Sequence, residues 1–453
     1  MHGTIRSGRS TALLLAALAI HATGCQRPAV PGGGTGNTNR VATTAAGGTP
    51  AVPDAASAVS PPAWSTDMET LVAAANGFAC DLFALRRASG GNVFCSPFSI
   101  HTALAMTAVG ARGATQQQLL TTLHLADADA APRCGDLGRI VAAAEGDVLS
   151  IANALWGQRQ TAGWIPAFQD TLTGRFDAGV EEVDFAADPD AARETINGWV
   201  AGRTHGRVGD LLGPGSITPL TRLVLTNAIA FKAAWDAPFD PARTQPAPFR
   251  RADGSQVEVP LMQRRDRAAL HAAFDEFQVL VLPYRGDACE MVIVLPREPS
   301  GLAAVEERLS IEALAEWRAA AEPAEVDVWL PRFRMEDGFL VNDALRSLGA
   351  VDLFDLMKAD LSGMSAADRL VISAVIHKAL VEVDEEGTTA VAATAVVGNL
   401  PGPPPPRPVE FRADRPFLFA LRDVRTGVLM FLGRLVDPAT AAPGGPRNPA
   451  ATP

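Results

Sequence analysis

The sequence predicts an α+β fold built as one large domain. Apolar residues at helical spacing come first along the chain, and strand-like apolar runs are scattered later without a regular βαβ alternation. About 375 residues lie between two segments of small residues and contain no comparable break, which favours a single domain. The length of 453 residues alone would suggest two or three domains, but length is only a weak guide to domain number.

Two helices and a series of strands are predicted from apolar periodicity. One helix carries Leu71, Phe78, Leu82 and Leu85, and the other carries residues from Leu302 to Trp317 at similar spacing. Apolar and β-branched runs predict the strands, and the last two form a hairpin through residues 423–427. The predicted strands are Leu223–Phe231, Phe277–Leu282, Met291–Leu295, Val326–Leu330, Ala379–Val383, Phe417–Leu421 and Val428–Leu432.

Residues 1–24 are predicted to be a signal peptide. Two arginines precede an apolar stretch, Thr11–Ile20, which is too short for a membrane span. Small residues follow at Ala22-Thr23-Gly24 and lead directly to Cys25, which resembles a bacterial lipoprotein signal. We therefore expect an exported protein that is anchored to a membrane through a lipid on Cys25. Cleavage by ordinary signal peptidase, with secretion of the protein, is the alternative.

The two ends of the mature chain have a composition that does not support folding. Residues 25–64 and 439–453 consist mainly of Gly, Ala, Thr and Pro, with almost no large apolar side chains. Such segments bury too little surface to offset the entropy lost on ordering. We expect a flexible tether and a flexible tail on either side of a domain that spans residues 65–438.

Composition and cysteine spacing exclude several classes of function. The formal net charge of -11 and the isoelectric point near 5.2 argue against nucleic-acid binding, which depends on basic surfaces. The cysteines other than Cys25 form no CxxC pair, so the sequence indicates no zinc or redox site, and no cofactor is expected. Cys95 and Cys289 lie in apolar runs and are predicted to be buried thiols, although a disulfide stays open in an exported protein.

Enzyme signatures are largely missing. The chain has no HExxH and no GxxxxGK motif, and its nearest approach to GxSxG, at residues 363–367, lacks the last glycine. The same residues are interpreted as a polar loop. A hydrolase that uses a serine with His377 is therefore left without a supporting motif.

The most unusual segment is Val381–Val397, followed by residues 398–406, which are rich in Pro and Gly. A strand runs into acidic residues and Gly387, and then into ten small or β-branched residues. Small and β-branched side chains can enter a buried strand, and a glycine can absorb the bend at its base. Taken alone, the segment is an Ala-rich strand or helix that precedes a Pro-rich linker.

Its sequence resembles the hinge of inhibitory serpins almost residue for residue. Other matches follow in the right order over about residues 66–438, and four such matches together are highly specific. The matching segments are Asn92–Ile100 with Gly110–Thr115, Leu225–Trp235, Glu385–Thr394, and Phe411–Phe417 with Phe431–Arg434.

The resemblance implies a fold of about nine helices and three β-sheets with an exposed reactive loop. It also implies a polar cluster of Ser96, Ser99, Asn227 and His377 beneath the central sheet where its strands part, with Trp235 at the top of that opening. None of these residues would be catalytic. By the same resemblance the loop hinge comprises Glu385, Glu386, Gly387, Thr388, Thr389, Ala390, Val391, Ala392, Ala393 and Thr394.

The activity implied by the resemblance is suicide inhibition of serine proteases, with cysteine proteases as a second target class. A protease would cut the loop at Asn399-Leu400 or Leu400-Pro401, and the freed loop would insert into the central sheet and trap the acyl-enzyme. Recognition of Leu400 favours a chymotrypsin-like or subtilisin-like target. We expect a monomer. The alternative is a non-inhibitory serpin that binds, stores or chaperones, although such proteins usually carry bulky or charged hinge residues, which this hinge lacks.

Overall fold

The computed structural model describes Trp64 and residues 66–145, 148–159, 163–366, 369–387 and 407–441. Nine α-helices and fourteen β-strands occur within these ranges. The helices are α1 Thr66–Arg86, α2 Pro97–Gly110, α3 Gly113–Thr122, α4 Ala130–Glu145, α5 Pro166–Phe176, α6 Pro189–Arg203, α7 Leu302–Glu307, α8 Ile311–Ala319 and α9 Asn342–Ser347. The strands are β1 Val93–Cys95, β2 Leu149–Gln158, β3 Val180–Val183, β4 Leu223–Phe231, β5 Gln245–Arg250, β6 Gln256–Ala273, β7 Phe277–Pro283, β8 Cys289–Pro296, β9 Glu322–Pro331, β10 Phe333–Leu340, β11 Ile372–Val383, β12 Val409–Arg412, β13 Phe417–Asp423 and β14 Leu429–Leu435.

A five-stranded sheet, with the strand order β10-β11-β4-β2-β3, contains the strands that position the site. The remaining nine strands form a second hydrogen-bonded network. Within that network the 18-residue strand β6 pairs with β5 and β9 along one part and with β7 along its end, and its register to β9 shifts between Asp266 and Ala269. One part of the network contains β1, β14, β13, β8 and β7, and the other contains β5, β6, β9 and β12; they meet at the end of β6. Counted separately, these two parts and the five-stranded sheet make three sheets, as the resemblance predicted.

Helix α2 lies inside the molecule between the two sheet systems. Every residue of Pro97–Gly110 except Val109 is buried, and the helix packs on both β4 and β14. A helix that is apolar all round needs such an interior position. Helix α1 is also long and apolar enough to cross a membrane, but 61% of its most apolar window is buried in the fold, so we interpret it as a core helix.

The predicted elements agree with the structure in most places. The strand Leu223–Phe231 has the predicted bounds, and the helix predicted around Phe78 is α1. The second predicted helix was wrong in extent, because the chain forms two short helices, α7 and α8. Ser310 ends the connection between them by accepting a hydrogen bond from the Ala313 backbone at 3.1 Å, which starts α8.

Strand β11 begins seven residues earlier than predicted, at Ile372 instead of Ala379. Its first half carries polar side chains, including His377, that interrupt the apolar run. The loop at residues 363–366 is also less polar in its surroundings than expected, since Met364 and Ser365 are both buried. Cys95 and Cys289 are buried as predicted, and burial raises the pKa of the Cys95 thiol to about 12.

Candidate functional site

Strands β4 and β11 pair directly with each other and run parallel. Their register joins nine residue pairs from Ile372 with Leu223 to Val381 with Phe231. On their outer sides each strand has an antiparallel neighbour, β2 beside β4 and β10 beside β11. A further strand that entered between β4 and β11 in the opposite direction would form antiparallel ladders on both sides.

The same register brings polar side chains together. Asn153 on β2 lies opposite Asn227 on β4, and Asn227 lies beside His377 on β11. The Asn227 side chain accepts a hydrogen bond from His377 Nδ1, and its amide group donates to the Ser99 hydroxyl and to Asn153 Oδ1. All of these groups are buried, so each hydrogen bond compensates for a polar group withdrawn from water.

Ser96 connects this cluster to the start of α2. Its backbone N–H donates to His377 Nε2 at 3.1 Å, and its hydroxyl donates to the Met430 carbonyl at 2.7 Å. The hydroxyl oxygen also accepts from the Ser99 backbone at 3.2 Å, which caps α2. The structure therefore brings together the predicted residues Ser96 and Ser99 at the start of α2, Asn227 on β4 and His377 on β11. The Ser96 hydroxyl connects this cluster to Met430 on β14, a strand of the other sheet.

His377 is fully buried and neutral. Burial lowers the pKa of its imidazole to about 3, and the positive charge of Arg86 acts in the same direction. Because Nε2 accepts from a backbone N–H, the proton lies on Nδ1. Both ring nitrogens are used for structure, and neither serine hydroxyl contacts them. The arrangement does not support the alternative of a hydrolase that uses His377 as a base.

The base of the hinge is fixed to the chain that follows β4. Trp235 donates from Nε1 to the Asp384 carbonyl at 2.9 Å and from its backbone to the Glu386 carbonyl at 3.2 Å. The Phe239 backbone donates to the Glu385 carbonyl at 2.8 Å. Trp235 itself is fully buried.

Gly387 occupies a position that other residues would not fit. Its φ of +68° lies in the left-handed region, and a Cβ atom there would come within 2.1 Å of the Trp235 backbone nitrogen. The chain at Gly387 therefore lies tightly against the backbone of Trp235, which follows β4.

A buried carboxylate anchors the hinge from the side. Glu385 forms an ion pair with Arg332, which lies between β9 and β10, and accepts a hydrogen bond from the Thr244 hydroxyl at 2.6 Å. Burial opposes ionisation of Glu385, but the hydrogen bonds from Thr244 and Arg332 outweigh burial, so its pKa lies below the usual value. By contrast, burial and three neighbouring glutamates raise the pKa of Asp384.

Several predicted site residues lie outside the described residues. They are Cys25, the hinge residues Thr388, Thr389, Ala390, Val391, Ala392, Ala393 and Thr394, and the reactive-bond residues Asn399, Leu400 and Pro401. Their predicted roles stay predictions. Among the residues that are described, no group of three or more His, Cys, Asp or Glu side chains is arranged to hold a metal ion.

Sequence reasoning missed Asn153, Thr244 and Arg332. Asn153 could have been noticed as a polar residue in the middle of the apolar run from Leu149 to Leu155. Thr244 and Arg332 are ordinary surface-type residues by sequence. Their contacts with Glu385, 141 and 53 residues away, exist only in the folded chain.

Comparison with known proteins identifies the class. The family model described as serpin (serine protease inhibitor) matches residues 73–438, so the chain belongs to the serpin family. It is 40% identical over 382 residues to the human leukocyte elastase inhibitor, covering 82% of this chain and all of that protein. It is 37% identical over 358 residues to mouse antithrombin-III, covering 77% of this chain and 76% of the other.

The fold also matches solved structures of this class. The structure of uncleaved ovalbumin superposes with a TM-score of 0.73 at 30% sequence identity, covering 82% of this chain and 100% of that one. The chain is accordingly a protease inhibitor of the serpin family and not an enzyme.

Proposed function

We propose that this serpin inhibits serine proteases as a suicide substrate, by inserting its cleaved reactive loop into the five-stranded sheet. The observation that carries the proposal is the parallel pairing of β4 and β11 beneath a hinge that turns at Gly387. A chain that continued from Gly387 and entered between these strands would be an antiparallel partner of both. The molecule acts as a monomer, with cysteine proteases as a second target class.

The first chemical step belongs to the protease. Its serine oxygen attacks a loop carbonyl carbon, an ester bond to the loop forms, and the peptide C–N bond breaks as the new amine leaves with a proton. The amino-terminal part of the loop is then free at one end. Hydrolysis of the ester would release active protease, so inhibition requires insertion to be faster than deacylation.

Insertion exchanges one parallel ladder for two antiparallel ladders. The nine residue pairs between β4 and β11 separate, and the new strand pairs on both sides. Its backbone groups leave water and gain ladder hydrogen bonds, and antiparallel pairing is somewhat more stable per residue than parallel pairing. Residues 388–400 would extend roughly 40 Å at about 3.3 Å per residue, close to the length of the twelve-residue strand β11.

The polar cluster controls this separation in our proposal. The hydrogen bond between His377 and Asn227 crosses from β11 to β4, so it must break when the strands part. Ser96, Ser99 and Asn153 hold the two partners in place until then. Trp235 covers the opening at the hinge end.

The reactive bond is proposed to be Asn399-Leu400 or Leu400-Pro401, and Leu400 is the recognised residue if the second bond is cut. A chymotrypsin-like or subtilisin-like protease would accept Leu400, whereas a trypsin-like protease requires a basic residue. Proline beside a bond slows most serine proteases, which makes the two bonds distinguishable. Mass spectrometry of the cleaved loop identifies the bond directly.

Incubation with a panel of chymotrypsin, subtilisin, trypsin and papain tests the proposed function. We expect a complex that survives boiling in SDS with at least one serine protease of the first two types. A non-inhibitory serpin would be cut by the same enzymes without forming such a complex. Loop cleavage without any SDS-stable complex across the panel contradicts the proposal.

We also propose that the protein is of bacterial type and membrane-anchored through Cys25. The support is the apolar stretch that ends in small residues followed by this cysteine. The mature protein should carry lipid on Cys25 and partition with membranes, while Cys25→Ser should be released in soluble form. An intact mass that shows an unmodified Cys25 would remove the lipid anchor and leave secretion.

A further inference from the structure

A cleft of about 220 Å³ lies where the turn of the β5–β6 hairpin meets the connection from β8 to α7. We call it the hairpin cleft. Arg250, Arg251 and Gln256 line it from the hairpin, and Pro299 with Ser300 lines it from the connection. The cleft is therefore lined by two positive charges, and none of the described residues that line it is acidic.

The guanidinium group of Arg251 is held in place, but one of its donors is left over. Its Nη2 donates to the Asp437 carboxylate at 3.0 Å, and its Nη1 donates to the Ser255 hydroxyl at 3.3 Å. Its Nε is buried and has no hydrogen-bond partner in the part of the chain that the structure describes. Buried donors in folded proteins are almost always paired, so a water molecule or a ligand is expected beside Nε.

Arg250 shares its carboxylate partner, Asp414, with two other arginines. The three donors are Arg250 Nη2 at 3.2 Å, Arg412 Nε at 3.1 Å and Arg415 Nη1 at 2.9 Å. Burial lowers the pKa of Arg415 and the charge of Arg250 acts in the same direction, while Asp414 and Glu298 oppose it. The three arginines thus outnumber the two carboxylates. Arg250 is the most exposed of the three, at 45%, and can contact a further anion.

The hairpin turn fixes the position of these arginines and adds neutral donors to the cleft. The Arg251 backbone donates to the Ser255 carbonyl at 2.8 Å, which closes the turn. Asp253 lies at the tip and does not line the cleft, and its carboxylate accepts hydrogen bonds from the Ser255 backbone at 2.9 Å and hydroxyl at 2.6 Å. Gln256 and Ser300 are exposed, and each can donate a hydrogen bond through its side chain.

We propose that the hairpin cleft binds a phosphate group, with Arg250 and Arg251 as its charged ligands. Guanidinium groups suit phosphate oxygens because they present several N–H donors in one rigid plane. Two guanidinium groups and two neutral donors from separate segments match an anion with four oxygens better than a carboxylate with two. A bound phosphate would also pair the buried Arg251 Nε. None of these residues belongs to the hinge or to β4 and β11, so the site does not depend on the proposed inhibitory mechanism.

Isothermal titration calorimetry of the protein with inorganic phosphate, at constant ionic strength in a phosphate-free buffer, tests the site. We expect one phosphate per chain with a Kd at or below about 1 mM, because the binding groups are few and partly exposed. Acetate at the same concentrations should bind at least about tenfold more weakly. Amide hydrogen exchange locates the site independently, since residues 251–256 and 299–301 should exchange more slowly in phosphate than in chloride.

Substitutions separate the cleft from the ion pairs around it. Arg250→Gln and Arg251→Gln should each raise the Kd for phosphate at least about tenfold, because each removes a charge-assisted hydrogen bond. The matched control is Arg412→Gln, which also removes one arginine from Asp414 but does not line the cleft, and its Kd should stay within about twofold of wild type. Ser300→Asp adds a negative charge to the cleft without removing an arginine, so it should abolish binding even if the arginine variants fold poorly.

Titration with glycerol 3-phosphate distinguishes the two sources of a phosphate group. A Kd equal to that of inorganic phosphate supports a phosphate ester of a larger molecule as the ligand, whereas weaker binding supports the free ion. The proposal is overturned if neither compound binds the wild type, or if acetate binds as tightly as phosphate. It is also overturned if Ser300→Asp binds phosphate like wild type, or if Arg412→Gln loses as much affinity as Arg250→Gln, because binding would then lie outside the cleft.

Discussion

His377 connects three parts of the molecule through one neutral ring. It accepts from Ser96 at the start of α2, donates to Asn227 on β4, and packs against the Phe339 ring at 5.4 Å. A protonated ring could not accept from the Ser96 backbone. Protonation therefore breaks the link between α2 and the sheet.

The pKa of His377 predicts a specific pH dependence of stability. Its pKa is about 3 in the folded protein and 6.5 for an unperturbed histidine, so between these values the unfolded chain binds a proton that the folded chain does not. Stability is present above pH 6.5 and falls as the pH decreases through this window, by up to about 1.4 kcal/mol per pH unit. Denaturant unfolding of the native state at several pH values measures the slope.

A substitution separates this contribution from that of the carboxylates. His377→Gln should reduce the slope of unfolding free energy against pH between pH 6 and 4 by about 1.4 kcal/mol per pH unit, which corresponds to one proton fewer taken up on unfolding. His101, whose pKa burial lowers to about 4, should give a similar reduction when replaced by glutamine. Equal slopes for the wild type and His377→Gln would show that the ring is protonated in the folded state.

At the scale of elements, the hinge is secured by groups from three different segments. Trp235 and Phe239 bind its backbone, and Arg332 with Thr244 holds the Glu385 side chain. Glu385 is almost fully buried, whereas the Arg332 side chain is 41% exposed. The anchor therefore depends mainly on the buried carboxylate and its hydrogen bonds.

Loss of this anchor should destabilise the native state and speed insertion. Glu385→Gln and Arg332→Gln should each lower the thermal midpoint of uncleaved protein and accelerate formation of the protease complex. A double-mutant cycle should give a coupling of about 1 kcal/mol, since the two groups are in direct contact. Strictly additive effects would mean that the ion pair contributes nothing to holding the hinge.

The inserted strand itself is tested by two adjacent substitutions. By strand alternation Ala392 faces the core after insertion and Ala393 faces solvent. Ala392→Arg would bury an unpaired charge, which costs at least several kcal/mol even after relaxation, so insertion should slow and the protein should become a substrate. Ala393→Arg should keep much of the inhibition.

The measurement is the number of inhibitor molecules consumed per protease inactivated. This number should rise strongly for Ala392→Arg, while the rate of loop cleavage stays the same because acylation precedes insertion. Inhibition by Ala392→Arg equal to wild type would show that the register or the insertion mechanism is wrong. The Ala393→Arg result then distinguishes the two, since a register error would transfer the defect to that variant.

At the scale of the whole molecule, a layer formed by helix α6 and the chain after it covers both β4 and β11, the two strands that must separate. Helix α6 and the chain after it pack on β2 and β4 on one side of the boundary and on Ile376 and Leu380 of β11 on the other. Lys378 of β11 adds a hydrogen bond to the Gly209 carbonyl at 2.8 Å. Separation of β4 from β11 therefore requires this layer to shift, which provides a barrier between the uncleaved and inserted states.

Cleavage of the loop should make the protein more stable. Cutting within residues 397–402 allows insertion, and the added ladder hydrogen bonds should raise the thermal midpoint by at least about 10 °C. Cleaved Ala392→Arg is the control, because it has the same cut without efficient insertion. An unchanged midpoint after cleavage of the wild type would indicate a non-inhibitory serpin.

The sequence by itself determined the features that depend on neighbours along the chain. The α+β class, the bounds of Leu223–Phe231 and the helix around Phe78 follow from local periodicity, and the sequence also indicated that Gly387 can absorb a bend. Family resemblance added the polar cluster. The resemblance named the members of this cluster, but it did not predict the hydrogen bonds between them.

The tertiary structure alone decided the features that depend on register and on distant contacts. Asn153 joins the cluster because β2 pairs with β4 in one register, and Arg332 reaches Glu385 because β10 pairs with β11. Strand β11 starts earlier than predicted for the same reason. Pairing with its neighbours satisfies the polar groups in its first half, which interrupt the apolar run from which the strand was predicted. A shift of one residue would turn every one of these side chains to the opposite face, and pairing between distant strands is not encoded in either strand alone.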